Sequence, residues 1–144
     1  MKIIEGDICD AKEQYILHQC NCVTNSARGV AKVIFDKYPD ANTYINRTKS
    51  IPGTIDVIKS NDKTIINAYA QYYPGSSKYN NDTKELRLKW FEKCIDEIIN
   101  MNISEIAIPY NIGCGYAGGN FDDYMKLLLK LDEKVNVILC KLIF

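Results

Sequence analysis

Ile108-Pro109-Tyr110-Asn111-Ile112-Gly113-Cys114-Gly115-Tyr116-Ala117-Gly118-Gly119-Asn120-Phe121 carries an apolar strand pattern straight into a glycine-rich loop and then into a new helix. Glycines let backbone N–H groups approach an anion without interference from Cβ atoms, and a helix beginning near Asn120 adds the positive end of its dipole. The junction suits a phosphate, although a plain tight turn would use the same residues. A second junction of this kind lies upstream, where Leu17-His18-Gln19-Cys20-Asn21 runs through a polar loop to Arg28-Gly29-Val30-Ala31. Two such loops can hold two ends of one ligand.

The rest of the chain alternates strands with helices. Short strands are expected at Lys2–Glu5 and Tyr15–Cys20. From Val30 a helix places Val30, Val33, Ile34 and Tyr38 on one face until Pro39 stops it, and a second short helix would use Ala41, Tyr44 and Ile45 before Pro52-Gly53. The β-branched runs 54–59 and 64–70 flank Ser60-Asn61-Asp62-Lys63 and read as a hairpin. Residues 72–81 form a polar, tyrosine-containing loop. Asp82 with Glu85 three residues on has the form of a capping box, opening a long helix with Leu88, Phe91, Ile95 and Ile98 on one face. A strand at 105–108, a helix at 121–131 and a strand from Val135 complete the order. Such alternation predicts an α/β fold, a three-layer α/β/α domain over residues 1–144 with a mixed sheet of about six strands. Ligands in such sheets bind at the carboxyl ends of strands, where both glycine loops lie.

Composition narrows the chemistry. The 144 residues are 47% hydrophobic, enough for a core without covalent staples. Six cysteines include no Cys-x-x-Cys pair and there is one histidine, so neither a zinc site nor a thioredoxin-like site is indicated. Reduced thiols in a cytoplasm are the simplest reading. No apolar stretch approaches the roughly 18 residues of a membrane span, and the N-terminus lacks a signal-like apolar region. The 18 basic and 18 acidic side chains cancel, which argues against sequence-independent nucleic-acid binding. A phosphate would be held by local geometry.

In this order and spacing the chain resembles the macro domain, a family of ADP-ribose-binding modules. Gly6-Asp7-Ile8 resembles the family's opening signature, in which the aspartate accepts a hydrogen bond from the adenine amino group. Gln19-Cys20-Asn21 resembles its Asn-Ala-Ala-Asn segment, which puts Asn21 at the distal ribose. Ala27-Arg28-Gly29-Val30-Ala31 is similar to the first phosphate loop, with Ala27 and Arg28 replacing two glycines, and residues 112–119 fall on the second. The resemblance thus implies a binding set of Asp7, Ile8, Cys20, Asn21, Arg28, Gly29, Val30, Ile112, Gly113, Cys114, Gly115 and Tyr116. Phe144, after the last strand, would stack on the adenine or fray. Within the family, His18 to Cys22 and Lys37-Tyr38-Pro39 look most like the branch of the fungal ADP-ribose 1″-phosphate phosphatase. The segment Ile112-Gly113-Cys114-Gly115 also resembles the terminal ADP-ribose protein glycohydrolase, whose catalytic aspartate falls where this chain has Ala117.

These residues also have plainer readings. Asp7 can be a turn residue, Asn21 a strand-end amide, and Arg28 a solvent-facing side chain. His18 can be a satisfied core histidine or, with Asn21, the catalytic pair, acting as general acid or base on water. Cys20, Cys22 and Cys114 can be nucleophiles or small residues packed beside the loops. Trp90 and Phe91 read as helix core. Two functions follow: a hydrolase removing a phosphate or an attached group from the distal ribose of an ADP-ribose derivative, or a module that recognises or sequesters ADP-ribose without turnover. Either would need no cofactor or metal and would work as a monomer away from membranes. Its ligand would be ADP-ribose or a derivative, including ADP-ribosylated protein or nucleic acid.

Overall fold

The computed structural model describes residues 1–142. Six strands, β1 (Lys2–Glu5), β2 (Tyr15–Cys20), β3 (Ile55–Ser60), β4 (Lys63–Tyr69), β5 (Glu105–Pro109) and β6 (Asn136–Lys141), form one sheet in the order β1-β6-β5-β2-β4-β3. Every neighbouring pair is parallel except β3 with β4. Three helices, α1 (Gly29–Lys37), α2 (Lys84–Asn100) and α3 (Phe121–Asp132), cover the two faces. The architecture is the mixed α/β/α sandwich that the alternating pattern predicts.

Two-residue periodicity divides the buried side chains cleanly. Leu17, Ile66, Ile106, Ile108, Val137 and Leu139 point to one face and pack with Phe91, Ile95, Ile98, Leu128 and Leu131 of α2 and α3. Ile16, Ile65, Ala107 and Ile138 point to the other, against Ile34 and Phe35 of α1. His18 and Cys20 share parity with Ile16 and so belong to the α1 side. The hairpin turns through Asn61-Asp62, because Ser60 pairs with Lys63 and Asn61 takes a left-handed conformation at φ 56°.

Local expectations fail in three places. In α1 the inward residues are Ile34 and Phe35 with the cap residue Tyr38, whereas Val30 and Val33 are exposed. The second short helix does not form: after a 3₁₀ turn at Pro39–Ala41, the Asn42 side chain accepts the N–H of Tyr44 (3.1 Å), a local bond that competes with helix. Ala41 and Tyr44 are still buried, while Ile45 is exposed. The cap of α2 is Thr83, whose hydroxyl accepts from Leu86 N at 3.1 Å. Asp82 is instead committed to the N–H groups of Tyr72 and Tyr73 and to Arg87.

Candidate functional site

β5, β2 and β4 are adjacent and parallel, so their carboxyl ends open on one edge of the sheet. There a cleft of about 1160 Å³ is bounded by the segment after β2, the start of α1, residues 71–78 after β4 and the glycine loop after β5. The two loops singled out in the sequence meet across it. Tyr116, 80% exposed, reaches over from the second loop so that a Cβ at Gly29 would lie 2.9 Å from its ring. Gly29 also has φ +59°, so its backbone and its neighbour both call for glycine.

The loops present unspent donors. Turn bonds within the second loop occupy the N–H groups of Ile112, Cys114, Gly118 and Gly119. Those of Gly113, Gly115, Tyr116 and Ala117 have no protein acceptor among the described residues. Opposite them, α1 begins without a side-chain cap, leaving the first-turn N–H groups of Gly29, Val30 and Ala31 along the cleft. Arg28, Lys32 and Lys78 also line it, Lys32 with its ammonium 2.8 Å from Asp36, and among the described residues no aspartate or glutamate does. In a chain of zero net charge this is a local concentration of positive potential. Such a surface is suited to a diphosphate.

Asn21 is shaped for this rim. Its Oδ1 accepts from Val23 N (3.0 Å), Thr24 N (2.9 Å) and Thr24 Oγ1 (3.0 Å), and its own N–H goes to the Tyr44 hydroxyl at 2.8 Å. The Nδ2 group, without a protein partner among the described residues, is the donor left for a ligand. The floor is a polar chain: the Tyr124 hydroxyl donates to Gln19 Oε1, Gln19 Nε2 to Gln71 Oε1, and Gln71 Nε2 to Tyr73 O.

His18 borders the cleft yet is 1% exposed. Asn67, its register partner on β4, spends Nδ2 on Ala41 O (2.9 Å), so its Oδ1 takes the proton of His18 Nε2 at 2.6 Å. Nδ1 is thereby the unprotonated nitrogen. The ring stands edge-on to Phe35 with centroids 5.3 Å apart. Burial outweighs the Asn67 bond and pulls its pKa down to about 4, so the imidazole is neutral at physiological pH. These surroundings are those of a satisfied core histidine.

All six cysteines are free thiols. Burial pushes Cys22 up to about 12 and Cys114 up to about 11, and it raises Cys20 as well. None is a thiolate at neutral pH, in keeping with the packing role rather than the nucleophilic one.

Of the residues that the family resemblance implies, His18, Asn21, Arg28, Gly29, Val30, Ile112, Gly113, Gly115 and Tyr116 line the cleft, whereas Asp7, Ile8, Cys20 and Cys114 do not. Asp7 follows β1 on the same carboxyl edge, with one carboxylate oxygen accepting Cys9 N at 2.9 Å, and Ile8 and Cys20 are buried. Phe144 lies outside the described residues. Sequence reading missed Gln19, Gln71, Lys78 and two arginines. Arg47 donates to Asn21 O (3.0 Å), Thr24 O (3.1 Å) and Ser50 Oγ (2.6 Å) while stacked on Tyr44, and so fixes the first rim. Arg87 is its counterpart behind the second. Neither reads as a loop holder locally, because the loop carbonyls that each one gathers, Asn21 and Thr24 for Arg47 and Tyr73, Gly75 and Ala117 for Arg87, come from other segments.

No protein-family model and no curated protein matches the sequence. Solved structures do. The chain is similar to a protein of unknown function from Bacteroides thetaiotaomicron, with TM-score 0.80 and 17% identity over 97% of this chain and 96% of that one. It is similar to the macrodomain of Mycobacterium tuberculosis DarG, with TM-score 0.74 and 22% identity over 96% and 95%. A third likeness is to Thermosipho africanus DarTG in complex with ADP-ribose, with TM-score 0.73 and 16% identity over 99% of this chain and 42% of that one.

Proposed function

We propose, from the premise that this chain has the macrodomain fold, that it binds ADP-ribose or a derivative in the cleft. The diphosphate lies between the two glycine loops and the distal ribose by Asn21 and Tyr116. One observation carries the reading: the cleft is lined by unspent backbone N–H groups and by Arg28, Lys32 and Lys78, with no carboxylate among its lining residues. Asp7, on the same edge at β1, is three strands from β2 in the sheet order, or roughly 14 Å at the usual strand spacing. That span suits an adenine reader at the far end of an extended dinucleotide-like ligand. Calorimetric titration with ADP-ribose tests the proposal. Saturable binding by the wild type, weakened in Asp7→Ala and Arg28→Ala, is the expected result, and no heat at high micromolar ligand with folded protein would sink it.

Recognition without turnover is the form of this activity that the geometry favours, since the one imidazole is sealed, neutral and bonded to Asn67. The hydrolytic reading has a specific point in its favour, the unprotonated Nδ1 of a histidine at the cleft wall, engaged only weakly by the Cys20 thiol at 3.8 Å. Incubation with ADP-ribose 1″-phosphate, ADP-ribosylated protein and ADP-ribosylated nucleic acid separates the two. Binding with no product from any of them supports recognition. Turnover that falls by roughly 10²–10⁴-fold in His18→Ala would establish hydrolysis with His18 as the proton-transfer group.

A further inference from the structure

Asp82 and Arg87 form an ion pair behind the cleft wall, with side chains 0% and 4% exposed. The carboxylate accepts the N–H groups of Tyr72 and Tyr73, both at 3.0 Å, and two bonds from the guanidinium, Nε at 2.9 Å and Nη2 at 2.6 Å. The remaining guanidinium hydrogens go to backbone carbonyls. Nη2 donates to Tyr73 O at 3.2 Å, and Nη1 donates to both Gly75 O at 2.7 Å and Ala117 O at 3.2 Å. All five donors of Arg87 are spent.

A buried ion pair adds little net stability over apolar residues of similar volume, because desolvating two charges offsets their attraction. What a guanidinium supplies is geometry, a planar fork with fixed donor directions. Here one nitrogen of the fork holds two carbonyls from segments 42 residues apart in sequence, Gly75 and Ala117, and both residues line the cleft. We infer that Arg87 is a positioning residue that clasps the 73–75 rim to the second glycine loop and so sets the placement of that loop's free N–H groups. The inference takes its ligand from the ADP-ribose reading, but the clasp itself can be measured without any ligand. A lysine would keep a cation facing Asp82 and could not reach the carbonyls of Tyr73, Gly75 and Ala117 together.

The experiment compares wild type, Arg87→Lys and the core variant Leu128→Ala by hydrogen exchange without ligand, then by ADP-ribose titration. In Arg87→Lys the amides of Cys114, Gly118 and Gly119, and of Tyr72 and Tyr73, should exchange at least about tenfold faster. ADP-ribose affinity of the folded variant should fall by roughly tenfold or more, the scale of a misplaced binding group. Leu128→Ala should lower the melting temperature while leaving affinity within about twofold of wild type, which a merely structural role for Arg87 would not predict. Unchanged exchange at 114–119 in Arg87→Lys overturns the clasp, as does an equal affinity loss in Leu128→Ala. Should Arg87→Lys fail to fold, wild-type protein in sub-denaturing urea carries the test: Tyr72, Tyr73, Gly118 and Gly119 should open as one unit, and independent opening refutes the clasp. If the wild type does not bind ADP-ribose at all, the nucleotide reading fails and the clasp stands or falls on the exchange data alone.

Discussion

His18 shows how burial changes what a side chain can do. Its pKa drops from the ordinary 6.5 to about 4 because charging the ring would strand a cation in the core. The unfolded chain takes up that proton near pH 6.5 and the folded one only near 4. The unfolded state therefore binds more protons across this window, and stability falls as pH drops from 6.5 towards 4, by on the order of 3 kcal/mol. Urea midpoints measured from pH 7 to pH 4 should show this slope, and His18→Gln, which keeps a donor for Asn67, should flatten it. Gly113 is a second position where the residue type is dictated. With φ +72° and a Cβ that would collide with the Tyr124 ring, Gly113→Ala should destabilise by roughly 1–3 kcal/mol and weaken ADP-ribose binding. Gly115→Ala is the control, since its Cβ would meet only Asn111 Nδ2 at 3.4 Å and its backbone is not left-handed. Thermal melts with calorimetry on both variants decide the matter, and equal effects would show that the loop's steric demand is not centred on Gly113.

The start of α2 separates two jobs that the capping-box pattern of Asp82 to Glu85 assigns to a single residue. Thr83 performs the cap, so Thr83→Ala should cost about 1 kcal/mol in denaturant unfolding. Asp82 neutralises Arg87. Burial by itself would raise its pKa, but bonds from Arg87 and from the Tyr72 and Tyr73 amides outweigh that and hold the carboxyl below its usual value, which keeps the pair ionised. Asp82→Ala leaves a guanidinium buried without its counter-charge and should cost roughly 3–5 kcal/mol, several times the cap. Similar losses for the two variants would mean that the buried pair is weaker than its geometry indicates. The helix face itself was readable in the sequence, with Phe91, Ile95 and Ile98 buried as the 3.6-residue period requires. Arg87 was not, because its burial depends on carbonyls from the rim loop and the second glycine loop.

For the molecule as a whole, a ligand that binds only the folded chain must stabilise all of it. ADP-ribose at about 100 times its Kd should add about 2.7 kcal/mol, and for a chain of this size raise the melting temperature by roughly 6–10 °C. Adenosine at the same concentration, lacking the diphosphate, should give a much smaller shift, and the ADP-ribose shift should shrink as salt screens Arg28, Lys32 and Lys78. A shift equal for both ligands would remove the diphosphate from the centre of the site. No helix among the described residues is long and apolar enough to cross a membrane.

The strands, the three helices, the Asn61-Asp62 turn and the two glycine loops could be read directly from the chain, because each rests on periodicity or turn chemistry within a few residues. That both loops lie along one cleft follows from β2 and β5 being parallel neighbours, a pairing between segments far apart in sequence. The same distance explains why the single histidine was open to two readings. Its neighbours in sequence place it beside Asn21, but Asn67 and Phe35, which bond it and bury it, arrive only through the packing of β4 and α1. Arg47 and Arg87 are polar residues in unremarkable local contexts, and their role as loop holders exists only where backbone carbonyls from several segments converge on one guanidinium. Local sequence specifies a residue's conformation, while its charge state, its partners and its access to a ligand are set by what the fold brings against it.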